Sequence, residues 1–246
     1  MFLTLCKNEF KVTYRNFIIL YALLFLSTYS VASILISQYG SPYGVQWIIM
    51  YVAMIIITLV GTEILIIRYY YLSMFDKAAY LTHTLPVSSA SLFLSKIVVY
   101  STWLILSCTF VCASVAMILL SVPELIVRSV PMSFFIASGI SFFFQMILSV
   151  VSIATAITFA HTKYIRNNRL MIGIILYFGF DFIREQVGLR LPDSTLLMSH
   201  PIFEAVSDLT ICNQWITPLG ISITIILIVL LSLFAIYLLN KKMEIE

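Results

Sequence analysis

Residues Arg68 to Ser91 read RYYYLSMFDKAAYLTHTLPVSSAS, a polar and aromatic run between two long apolar stretches. A bilayer rejects such a segment, so it faces water. Leu72, Phe75 and Ala79 are spaced for one face of a short helix, with Asp76, Lys77 and Tyr80 on other faces. Pro86 stops that helix, Leu85 before it is pushed toward an extended conformation, and Ser88 or Ser89 is placed to cap the next helix. A connection this long between neighbouring helices is a docking element or a solvated hairpin. Its aromatic content, Tyr69, Tyr70, Tyr71, Phe75 and Tyr80, argues against disorder and favours docking.

Outward from this elbow the chain is built for lipid. Apolar residues make up 61% of its 246 residues and charged ones 10%, where soluble domains carry roughly 45–50% and about 25%. Six apolar runs are long enough to cross the hydrocarbon: Phe17–Ser37, Gln46–Ile67, Leu92–Leu120, Met132–Ala160, Leu170–Val187 and Pro218–Leu239. The fold class expected is therefore an all-α integral membrane protein with six transmembrane helices in a single domain over 1–246. The third and fourth runs exceed one crossing and should tilt or project. The fifth is short and carries Asp181. Eleven of the fourteen Lys and Arg residues fall on one side of this arrangement, which puts both termini in the cytoplasm. No cleavable signal peptide is expected.

The first sixteen residues are too polar to span. Leu3, Cys6, Phe10, Tyr14 and Phe17 form an apolar stripe, and Thr4, Lys7, Asn8, Lys11 and Arg15 line an adjacent polar face. This pattern predicts an amphipathic helix in the membrane interface, serving as an anchor alone or also as part of a docking surface. The four cysteines read as structural. Cys108 and Cys112 lie one helical turn apart, Cys6 is cytoplasmic and Cys212 is outside. The connection Gly188–Thr217 mixes apolar and polar residues in a way that suggests short helices folded back at the outer surface.

Charged and polar groups inside the spans mark candidate functional positions. Glu63 stands about a turn before Arg68, with Arg68 or Lys96 as its expected partner, or water beyond the lipid edge. Asp181 and Arg184 have the spacing of a local ion pair. Span four carries Ser138, Ser141, Gln145, Ser149 and Ser152 along one side, and span one has Ser30, Ser33 and Ser37 in a similar row. Close helix packing explains such rows, and a substrate path is the alternative. Gln145 is too polar to point comfortably at acyl chains.

Several functions are disfavoured by what the sequence omits. No basic run provides a nucleic-acid footprint. No G-x-x-x-x-G-K-[ST] string is available to cradle ATP phosphates. His83, His161 and His200 are far apart, and neither HExxH nor GxSxG occurs, so no catalytic or metal-ligand constellation is expected.

The order of elements, with MFDKAAYLTHTLPVS from Met74 to Ser88 as its distinctive sequence, resembles the membrane subunits of type-2 ABC exporters. Small bacterial permeases of antimicrobial-peptide export and immunity systems are the nearest likeness. The resemblance implies a type-2 exporter transmembrane fold with a coupling helix between helices 2 and 3, over residues 68–91. Met74, Phe75, Asp76, Lys77, Tyr80, Leu81 and Thr82 would then meet a cytoplasmic ABC ATPase, with His83 to Pro86 shaping the exit. Residues 1–16 would match the family's connecting helix, with Lys7, Phe10, Lys11, Tyr14 and Arg15 beside the coupling segment. Two ATPase copies would bind ATP and Mg and supply the hydrolysis that this chain lacks. A second permease, the same chain or a sibling, would complete the complex in the bacterial plasma membrane. The function implied is outward movement of a peptide or other amphipathic compound. A substrate-binding six-helix module of an uptake system and a secondary transporter are the rival classes. The first needs no long coupling helix after span two, and the second lacks an evident internal repeat or ionisable relay here.

Overall fold

Long apolar runs without an internal proline propagate as unbroken helices. Pro42 and Pro218 each open a helix and Pro131 immediately precedes one. A computed structural model describes residues 2–37, 42–75, 88–121, 132–162, 165, 168–188 and 217–241. It is all-helical: α1 Phe2–Ser37, α2 Pro42–Met74, α3 Ser89–Ser121, α4 Met132–Ala160, α5 Arg169–Gly188 and α6 Pro218–Lys241. Five of these, all except α5, are long and apolar enough to cross a membrane. This is the pattern of a multi-pass membrane protein. Asp181, Arg184 and Glu185 crowd the second half of α5 and set it apart.

Two boundaries differ from the sequence reading. The first sixteen residues are not a helix of their own: α1 runs without a break from Phe2 to Ser37. At 1.5 Å per residue it is roughly 54 Å long, well beyond the ~30 Å hydrocarbon core. Its buried stripe passes through Cys6, Thr13 and Phe17, while Leu3 and Tyr14 of the expected apolar stripe are exposed. Likewise α2 continues through RYYYLSM to Met74, with a last backbone bond from Phe75 N–H to the Tyr71 carbonyl at 2.9 Å. The aromatic first third of the expected coupling segment is thus the end of α2, since nothing between Gly61 and Met74 breaks a helix.

Ser88 caps α3, its Oγ accepting from Ser91 N–H at 3.3 Å and its carbonyl from Leu92 N–H at 3.1 Å. Thr217 does the same for α6, accepting from Gly220 N–H at 3.0 Å.

The chain divides into two compact units. The first comprises Met1–Tyr70 and Leu94–Arg128. In it α2 buries Thr58, Thr62, Ile66 and Tyr70 at intervals of four, and α3 buries Lys96, Tyr100, Trp103 and Ser107 at alternating four and three. A methyl at Gly61 would lie 2.9 Å from Leu20 Cδ1, so the glycine permits a close approach of α1 and α2. The second unit comprises Tyr71–Phe93 and Ser129–Glu246. Its centre is α4, buried on every side from Val150 to Ala156, with α5 and α6 both packed along it. Small residues make this packing close. A methyl on Gly173 would rest 3.5 Å from Ala160 Cβ, and Phe159 stacks on Phe234 at 6.1 Å.

Candidate functional site

The elbow between α2 and α3 is described at its root, Met74 and Phe75, and again from Ser88. Asp76, Lys77, Tyr80, Leu81, Thr82 and His83 lie outside the described residues, as do Leu85 and Pro86. Met74 is fully buried and Phe75 is 8% exposed, so both are anchors of the segment rather than a surface it offers to a partner. Phe75 stacks on the His161 ring at 4.3 Å with planes 25° apart, and Tyr71 approaches the same ring at 5.4 Å. His161 follows the last residue of α4 and is itself buried. Its Nδ1 lies 2.8 Å from the Ile157 carbonyl, an acceptor, so Nδ1 carries the proton. These residues all belong to the second unit. The end of α2 from Tyr71 therefore packs against the end of α4 within the second unit.

The first unit is stitched by side chains that cross from helix to helix. Trp103 Nε1 donates to Thr13 Oγ1 at 2.9 Å, and the indole stacks on Phe17 at 4.6 Å with planes 4° apart. Phe10 meets the same indole at 5.5 Å. Ser107 Oγ is shared by Tyr21 Oη and Thr62 Oγ1, each at 2.8 Å, which ties α1, α2 and α3 at one point. Tyr51 Oη pairs with Ser114 Oγ at 2.7 Å, and Asn16 Nδ2 donates to Tyr69 Oη at 2.8 Å. The Cys6 thiol reaches the Ser95 carbonyl at 3.8 Å.

Lys96 was expected among the loop cations, with Glu63 as one of its partners. It is instead 1% exposed and forms an ion pair with Glu9, whose side chain is 20% exposed. Sequence reasoning missed Glu9. The signal was available: it is the sole carboxylate before Glu63, set between Lys7 and Lys11, and one turn before the buried Thr13. Of the expected connecting-helix residues, Lys7, Lys11, Tyr14 and Arg15 are exposed, and Phe10 packs on Trp103. Arg68 is exposed near the end of α2 and Glu63 is half-buried within it. In α5, Arg184 donates to Asp181 at 2.7 Å.

The polar row of α4 is partly enclosed. Ser141 and Ser152 are buried, and Ser138, Gln145 and Ser149 half-buried. Ser152 donates to the Ser149 carbonyl at 2.8 Å, and in α1 Ser30 and Ser33 donate to carbonyls of their own helix at 2.9 Å. Such bonds satisfy the hydroxyls within one helix. Cys6, Cys108 and Cys112 are not in disulfides, and Cys212 is outside the described residues. No cluster of three or more His, Cys, Asp or Glu residues suited to a metal ion occurs among the described residues. No protein-family model matches the chain, and neither does any curated protein or any solved structure.

Proposed function

We propose that this chain is the membrane-spanning permease subunit of a bacterial ABC exporter, moving a peptide or other amphipathic compound outward. Energy comes from ATP and Mg bound by a separate cytoplasmic ATPase, two copies of which serve two permeases, either two of this chain or this chain and a sibling. The observation that carries the reading is the elbow. A water-facing run of aromatic and charged residues joins two 33-residue helices, each roughly 50 Å long and so able to reach beyond the lipid. Its root is buried on α4, which suits a segment that must bear force. The contact with the ATPase falls to Asp76 through His83, with Met74 and Phe75 holding that stretch in place.

In this reading α5 is the sixth crossing, short and charged near its outer end, and both termini are cytoplasmic. Closure of the ATPase pair displaces the elbow, and the membrane helices change arrangement. The ATPase must favour one arrangement over the other by a few kcal/mol to shift the population usefully.

The test is co-expression with a candidate ABC ATPase from the same genome, co-purification, and ATP hydrolysis in lipid nanodiscs. The wild-type chain should retain the ATPase, and Asp76→Arg should release it or abolish the permease-dependent hydrolysis. Undiminished hydrolysis in a stable complex of the Asp76→Arg variant removes the coupling assignment. Failure of any ATPase to bind, together with uptake or efflux driven by an ion gradient, moves the protein to the secondary transporters.

A further inference from the structure

We propose that His161 is a positioning residue, the joint through which the elbow is mechanically tied to α4. Three observations converge on it. Phe75, the last described residue before the water-facing run, lies flat on the imidazole at 4.3 Å, and Tyr71 closes a second side of the ring at 5.4 Å. The ring cannot swing freely, because its Nδ1 bonds the Ile157 carbonyl one turn back along α4. The end of α2 from Tyr71 groups with Ser129–Glu246 although α2 lies mostly in the other unit. A pull on residues 76–87 is therefore delivered first to Phe75, then to His161, and so to the end of α4. That helix is the one buried on every side from Val150 to Ala156, with α5 and α6 against it, so whatever moves it moves the second unit as a body.

What the joint needs is a flat ring in register with Phe75. A phenyl ring supplies the stack without the Nδ1 bond, so His161→Phe should preserve the tie and His161→Ala should break it. An offset aromatic stack of this kind shifts a local opening equilibrium by on the order of tenfold. The idea that the elbow is pulled rests on the exporter reading, whereas the tie itself does not.

Hydrogen–deuterium exchange of the full chain in nanodiscs tests both parts. In the isolated chain, His161→Ala should raise exchange in peptides covering 71–88 and 150–162 together, by about tenfold in rate. It should leave 94–118 unchanged, and His161→Phe should restore the wild-type pattern. Phe75→Leu should act in the same direction and serves if His161→Ala yields too little folded protein. In the ATPase complex, ATP with vanadate should alter exchange at 150–162 in the wild type and His161→Phe, but only at the elbow in His161→Ala. Unchanged exchange at 71–88 in both His161→Ala and Phe75→Leu overturns the joint. An isolated-chain effect without any ATPase complex keeps the joint and overturns the exporter reading.

Discussion

The described contacts that join helices differ in kind between the two units. In the first, hydroxyls, an indole and an ion pair pass from one helix to the next: Trp103 to Thr13, Ser107 to Tyr21 and Thr62, Tyr51 to Ser114, Glu9 to Lys96. In the second, small residues let α5 approach α4 and aromatic rings stack across α4 and α6, while Thr155 and Thr224 spend their hydroxyls on carbonyls of their own helices. The difference matters because lipid tails are as apolar as leucine, so burial alone does little to select one helix packing over another. Directional bonds do select. In the first unit they fix the rotation and register of α1, α2 and α3.

The sharpest way to break this contrast is at the ion pair. Glu9→Ala leaves the buried ammonium of Lys96 without its carboxylate, which should destabilise the protein by about 3–5 kcal/mol. Adding Lys96→Met removes the stranded charge and should recover most of that loss. Thermal unfolding in mild detergent reads both, and wild-type stability of Glu9→Ala would show that the pair contributes nothing to the unit.

A smaller effect is expected where the three helices meet. Ser107→Ala deprives both Tyr21 and Thr62 of a partner and should cost about 1 kcal/mol, within the range of interhelical hydrogen bonds in membranes. The corresponding change in the second unit is Thr155→Val. Thr155 is fully buried, yet it bonds the Val151 and Ser152 carbonyls of its own helix at 2.9 Å. Since those carbonyls already serve the α-helix, the loss should stay within about 0.5 kcal/mol. Should Thr155→Val cost as much as Ser107→Ala in the same unfolding assay, the distinction between the units fails.

Much of this architecture was legible in the residues. Apolar run length marked every helix, and prolines and caps marked several of the ends, because in lipid a backbone must satisfy its own hydrogen bonds. The Asp181–Arg184 pair was readable because its partners lie within one turn. The elbow was visible as a polar and aromatic break between two long apolar runs, but its anchoring was not. Phe75 reads as part of one face of a short helix, and His161 as a histidine far from the other two. Nothing local in either stretch announces that the two rings meet.

By itself, then, the amino-acid sequence determined that this chain is helical, that most of its helices suit a membrane, and that a polar and aromatic run separates α2 from α3. These are consequences of composition and short-range spacing. Tertiary structure alone decided that Glu9 serves Lys96, that Trp103 reaches Thr13, and that Phe75 rests on His161. Each partner stands more than eighty residues from the other, and contacts at such separation follow from how helices rotate and pack, which no local pattern encodes.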